Sequence, residues 1–202
     1  MASDNGDDPR KQREREILEC AKQVFAERGF HKASINDIIQ RANIARGTFY
    51  LYFRGKQEVF DSILDEALEE LRARITRIDV DTPDADPPQV QLRQSLIRVM
   101  EYVLGDRPLT LILLNHKQTP DVDVAARVDA FFSDITDMIV SSLTYGISAK
   151  LVRPCDTSLV AAALLGAVRG MVEYCVAQPE PPSVDQIVDE LILFVLRGVF
   201  GT

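Results

Sequence analysis

The sequence predicts an all-α fold of nine helices, and three features of its 202 residues predict it. Apolar residues recur at three- and four-residue spacing along almost the whole chain. No segment reads convincingly as a strand. The breaks between periodic segments are rich in Gly, Pro, Asn and Asp, the residues that end helices and form turns. Hydrophobic residues make up 46% of the chain, enough for a packed core. No internal repeat is evident.

The opening M-A-S-D-N-G-D-D-P is polar and acidic, so residues 1–9 are expected to be a disordered tail and not a secretory signal. Ile17, Leu18, Ala21, Val24 and Phe25 then mark an amphipathic helix over residues 10–28, stopped by Gly29. Ser34 is placed as an N-cap, with Asp37 completing a variant capping box, and Ile35, Ile38, Ile39 and Ala42 form the buried stripe of a short second helix. Asn43 tolerates a left-handed backbone and suits a tight turn into a third helix from Ala45 to Phe53. Gly55 breaks that helix, and Lys56 opens a long fourth one through Ile75. An acidic, proline-rich loop at 80–88 follows. Further helices are read at 89–104, 108–117, 121–146, 156–177 and 183–200.

Net charge is −8, yet residues 10–56 carry a balance of +6 and residues 57–202 one of −11. A small basic module joined to a large acidic one directs attention to the first for polyanion binding. Cys20, Cys155 and Cys175 are odd in number and widely spaced. They indicate a reducing, cytoplasmic setting, and there is no zinc-ligand spacing, disulfide framework or cofactor motif. No apolar run is read as approaching the roughly 20 residues that span a bilayer.

Two short helices joined by a tight turn, the second polar and aromatic, form a helix-turn-helix pattern. The residues carry a closer likeness. Ala21, Phe25, Gly29 and Phe30 are followed by A-S-I-N-D-I from Ala33 to Ile38, A-N-I-A-R-G-T-F-Y-L-Y-F from Ala42 to Phe53, and Gly55-Lys56. This series resembles the DNA-binding domain of the TetR family of bacterial transcriptional regulators over about residues 10–60. Asn43 stands where the family more often has glycine. Ala45 stands where serine or threonine is common, which removes one phosphate contact.

The resemblance implies a DNA-binding domain over residues 10–56 and a helical ligand-binding and dimerisation domain over 57–202. It implies DNA contacts at Ser34, Arg46, Thr48, Tyr50, Tyr52 and Lys56, and the residue chemistry agrees. Ser34 brings a hydroxyl and free N–H groups to a helix N-terminus, suited to phosphate. Arg46 and Thr48 sit at the end of the third helix expected nearest base edges, where arginine can bind guanine O6 and N7 together. Gly47 permits close approach, Tyr50 and Tyr52 reach phosphates with their hydroxyls, and Lys56 is a phosphate clamp. Tyr52 serves equally well as core, and Phe49 and Phe53 read as core. Arg10 and Lys11 are candidates for a flexible DNA arm or a solvated face. Two copies reading successive major-groove faces, roughly 34–36 Å apart, imply a homodimer on a palindromic operator.

In the larger half, the small residues of Leu159–Val176 and the apolar Ile187–Phe200 segment, with Leu191, Ile192, Phe194, Val195, Leu196 and Val199, match the family's four-helix dimer interface. Met100, Val103, Leu111, Leu114, Phe131, Phe132, Ile135 and Met138 are candidates for an apolar effector cavity, with Asn115, His116 and Arg169 as polar fixtures. Each serves equally as packed core or solvated surface, and Arg169 could pair with Glu173 one turn on. The expectation is a repressor released by an apolar or amphipathic effector. The alternative is a DNA-binding dimer controlled by a protein partner. No paired carboxylates, nucleophile–base set or phosphate loop supports an enzyme.

Overall fold

A computed structural model of the chain describes residues 8–115 and 121–199, the side chains of 196–199 excepted. Nine helices lie among the described residues, and no strand. The helix-turn-helix module comprises α1 (Pro9–Lys32), α2 (Ile35–Ala42) and α3 (Arg46–Tyr52). The rest of the chain forms α4 (Lys56–Arg74), α5 (Pro88–Gly105), α6 (Arg107–Leu114), α7 (Val122–Ser148), α8 (Thr157–Ala177) and α9 (Val184–Val199). The tail expected over 1–9 falls mostly outside the described residues. So do His116 and the side chains of Leu196 and Val199.

α1 starts one residue earlier than expected. Asp8 caps it by accepting the Arg10 N–H at 3.0 Å, and Pro9 fills the first turn, where its missing N–H costs nothing. Gly29 does not end the element but kinks it. Its φ of 73° is open to glycine and turns the chain so that one further turn, Phe30–Lys32, leaves at a new angle. The kink drives Phe30 inward, to ring-centroid distances of 5.3 Å from Phe25 and 5.2 Å from Phe60.

The capping box of α2 is complete: Ser34 Oγ accepts the Asp37 N–H at 3.2 Å and Asp37 Oδ2 accepts the Ser34 N–H at 2.9 Å. Asn43 adopts the left-handed conformation expected of it, at φ 50° and ψ 50°. It ends α2 and sets the angle at which α3 leaves. Phe49 and Phe53 point from α3 into the core.

One continuous core runs from Ile17 and Val24 on α1 through Ile38, Phe49 and the α4 stripe Val59, Phe60, Ile63, Leu64, Ala67, Leu68 and Leu71 to Leu109, Val124, Val128 and Phe131. The helix-turn-helix module and the larger half therefore share apolar packing through α4. A second cluster joins Met100 on α5 to Val172 and Cys175 on α8 and Ile187 and Val188 on α9. Arg93 clasps α5 to α9 through Asp185 and Asp189, each at 2.7 Å.

α8 corrects one expectation. By length and composition it is apolar enough to cross a membrane, although most of that segment is not buried within the protomer. Arg169 and Glu173 are the charged residues within it. Leu159 and Tyr174 are among its exposed residues.

The Asp37 carboxyl is held below its ordinary range first by the Ser34 hydroxyl and backbone N–H and then by Arg28. A depressed folded-state value means that stability is present above the unfolded carboxylate range, near 3.9, and is lost as pH falls through the folded value. Asp37→Asn should therefore lower the thermal midpoint at pH 7, and the gap from the unmodified protein should narrow as pH drops below about 4. A gap that stays constant across that titration would show that Asp37 stabilises by packing alone.

Candidate nucleic-acid interface

The exposed face of α3 presents Arg46, Gly47, Tyr50 and Leu51, with Thr48 half-buried beside them. Arg46 is oriented from two sides. Its guanidinium donates to Asn36 Oδ1 on α2 at 3.2 Å and to the Tyr50 hydroxyl at 3.4 Å, and it lies 5.7 Å from the Tyr50 ring centroid. Neither partner is a carboxylate, so its charge stays available. A Cβ added at Gly47 would meet nothing inside the chain. Nothing within the chain requires glycine there.

Ala33, Ser34, Ile35, Asn36, Arg46 and Lys56 line an open groove of about 420 Å³. Two cations border it and no carboxylate lines it, which suits a polyanion. The structure thus brings Ser34, Arg46 and Lys56 together, with Tyr50 adjoining through Arg46. Tyr52 is half-buried and packs against the core.

Two expectations change here. Arg10 and Lys11 belong to the first turn of α1 and do not form an extended arm; the Arg10 guanidinium sits 6.0 Å from the Tyr52 ring centroid. Lys56 does not project freely as a clamp. Its ammonium donates to the carbonyls of Phe30 at 2.9 Å, Ala33 at 3.1 Å and His31 at 3.4 Å, and lies 4.4 Å from the Phe30 ring centroid. These carbonyls lie at the C-terminal end of α1, where the chain turns extended at Ala33 and no further helical N–H follows, and Lys56 supplies three donors to them.

Two further residues belong to this face. Asn36 was missed because its partner, Arg46, is ten residues away and only the turn at Asn43 brings them together. Leu51 is 72% exposed although apolar. Its position four residues after Gly47 was the signal that both share one face.

The expected effector residues do not form one cavity. Phe131 is fully buried in the first core, with Val103, Phe132, Ile135 and Met138 packed against it. Met100 is fully buried in the second, with Val103 and Leu114 against it. α5 carries apolar residues on both sides, so helical spacing could not tell which core each joins. Leu111 is half-buried, and Asn115 is exposed at the C-cap of α6. Arg169 stacks 4.5 Å from the Phe132 ring centroid and makes no ion pair with Glu173. A cavity of about 140 Å³ lies elsewhere, lined by Glu19, Lys22, Ile63, Glu66, Ala67, Glu70, Tyr102, Asp106 and Leu109. On α8, Leu159 (70% exposed), Ala162, Ala163, Gly166, Gly170 and Tyr174 (60%) form an exposed stripe, and Leu193 and Phe194 (61%) are exposed on α9.

Residues 17–63, spanning the groove and α3, match the family model for bacterial regulatory proteins of the tetR family. The helix-turn-helix module belongs to the TetR family. The chain is a DNA-binding transcriptional regulator and not an enzyme. Full-length relatives agree. The uncharacterized HTH-type transcriptional regulator YhgD of Bacillus subtilis (strain 168) is 24% identical, covering 93% of this chain and 96% of its own. The fatty acid metabolism regulator protein of the same organism is 20% identical over 91% and 94%. The transcriptional activator FasR of Mycolicibacterium smegmatis is 23% identical over 95% and 84%. Among solved structures, a TetR-like transcriptional regulator from Rhodococcus sp. RHA1 is 27% identical with a TM-score of 0.70, covering 94% of this chain and 97% of that one. FadR of Bacillus subtilis, solved with stearoyl-CoA, shares the fold at 19% identity and a TM-score of 0.75, over 92% and 98%. AibR, solved with isovaleryl coenzyme A and operator DNA, does so at 21% and 0.65, over 89% and 96%.

In this TetR-family module Lys56 is first a structural tie. Lys56→Met keeps the stem and removes the three donors, and should lower stability in urea by about 1–3 kcal/mol without any DNA present. An unchanged urea midpoint would mean that water satisfies those carbonyls equally well.

Proposed function

We propose that the chain acts in the cytoplasm as a homodimer on a palindromic operator and represses until a small amphipathic effector, a fatty acyl-CoA thioester, releases it. The observation that carries the DNA half of this reading is the α3 face, where Arg46 is pre-oriented by Asn36 and Tyr50 and kept free of carboxylates. Arg46 reads a base edge, with Thr48 and Leu51 beside it; a leucine side chain suits a thymine methyl. Ser34, Tyr50 and Tyr52 position the backbone, and Arg10 and Lys11 add charge from α1. Lys56 contributes its charge to the groove, since its donors are engaged within the chain. Residues 10–56 form the DNA-binding unit and 57–202 the effector and dimerisation unit, with α4 common to both cores.

The stripe on α8 and the exposed Leu193 and Phe194 on α9 support an isologous four-helix interface. The effector class rests on FadR and AibR, solved with acyl-CoA ligands, and on the apolar residues between α5, α7 and α8. Arg169, half-buried on Phe132 without a carboxylate, is the cation best placed there for an anionic group. Repression is the commoner mode in the family, although the relative FasR is an activator.

One observation favours a second reading. Met100 and Phe131 fill the region where an effector would sit, as a regulator controlled by a protein partner requires. Apolar sites between helices also close when empty, so stearoyl-CoA titration decides between the two.

Arg46→Ala should cost about 1–3 kcal/mol of operator affinity and relax base preference, measured on duplexes selected from a random pool. Unchanged affinity and preference would sink the assignment of α3. Stearoyl-CoA should release the wild-type complex; no release, with calorimetry showing no binding, favours the protein-partner reading. Phe194→Asp should yield monomers by sedimentation, and a dimer that persists would place the interface elsewhere.

A further inference from the structure

Away from the DNA-facing groove, one buried charge takes no part in DNA contact. Lys22, on α1, is only 8% exposed. An ammonium in that setting requires partners. It has Glu19 one turn back on α1, at 2.5 Å, and Asp106 between α5 and α6. Burial pulls Lys22 downward in pKa, but hydrogen bonds to Asp106 and Glu19 outweigh it and keep the ammonium charged.

Asp106 serves two elements at once. Oδ2 takes Lys22, while Oδ1 accepts the Leu109 N–H at 3.0 Å and caps α6. One carboxylate thus fixes the start of α6 to the middle of α1. From α1 a series of polar contacts continues to the DNA face. Glu27 pairs with Arg41 at 2.6 Å and Arg28 with Asp37 at 2.6 Å, both on α2. Asn36, also on α2, holds Arg46.

The 140 Å³ cavity adjoins the pair where α1, α4, α5 and α6 meet, and Glu66, Glu70 and Tyr102 line it. An ammonium leaving Asp106 would find room there and would keep Glu19 and Glu66 as neighbours. The contact therefore has two arrangements available, as a switching element needs.

We infer that the Lys22–Asp106 pair is the latch that couples α6 in the effector half to the placement of α2 and α3, with Lys22 moving toward the Glu66 side of the cavity when α6 shifts. Lys22 and Asp106 are positioning residues; neither touches DNA. The inference rests on DNA binding by α3 but not on the identity of the effector, because coupling is reciprocal and DNA must act back on α6.

The test is hydrogen exchange of the full dimer with and without an operator selected from a random duplex pool. In the wild type, operator should slow exchange across Arg107–Leu114 by about fivefold or more, a change confined to α6 and remote from the duplex. Asp106→Asn keeps a side chain that caps helices and removes the charge. Lys22→Met keeps the stem. In both variants operator should still protect α3, while the response of α6 should fall below about twofold. Wild-type protection of α6 persisting in both variants, or its absence in the wild type, overturns the latch. If no duplex is selected at all, the DNA assignment fails and the latch with it. If α6 responds to operator as expected but stearoyl-CoA does not bind, only the effector class is wrong.

Discussion

The hydrogen bonds from Lys56 to the carbonyls of Phe30, His31 and Ala33 join the end of α1 to the start of α4, and the helix-turn-helix is built around that join. The end of α1 at Ala33 makes it necessary, because the last carbonyls of a helix have no following helical N–H to meet. The kink at Gly29 makes it favourable, because it brings Phe30 under the ammonium and against Phe25 and Phe60. With α1 and α4 locked together, Ala33 and Ser34 are placed to start α2, and the left-handed Asn43 then sets α3 at the angle that exposes Arg46.

Charge in the basic module is divided between holding and binding. Arg28 and Arg41 are engaged with Asp37 and Glu27 and fasten α1 to α2. Arg46 meets only neutral partners, and Lys56 meets only carbonyls and a ring. Arg46 and Lys56 thus bring positive charge to one groove, while the internally paired arginines contribute rigidity. Exposed ion pairs such as these are individually worth little, so their importance lies in the register they impose.

The larger half shows the reverse problem. Its helices carry more apolar residues than one core can use, and the protein divides them among two clusters and an exposed stripe. Val103 touches both clusters, which ties the α4 and α7 side of the bundle to the α8 and α9 side. The stripe on α8 remains, and its small residues suit close approach by another helix more than contact with water.

Local chemistry made much of this legible. The helix count followed from apolar spacing, the α2 cap from Ser34 and Asp37, the turn from Asn43, and the core roles of Phe49 and Phe53 from their position on α3. The family resemblance followed from a continuous motif running from Ala21 to Lys56. Tertiary structure alone decided the rest, because those outcomes depend on residues far apart in the chain. Lys56 is taken from solvent by carbonyls 23 to 26 residues earlier. Met100 and Phe131 fall into different cores because helical periodicity says which residues are buried, not which neighbour buries them. Asp106 could be read as a helix cap, but its second partner, 84 residues away on α1, exists only once the chain has folded.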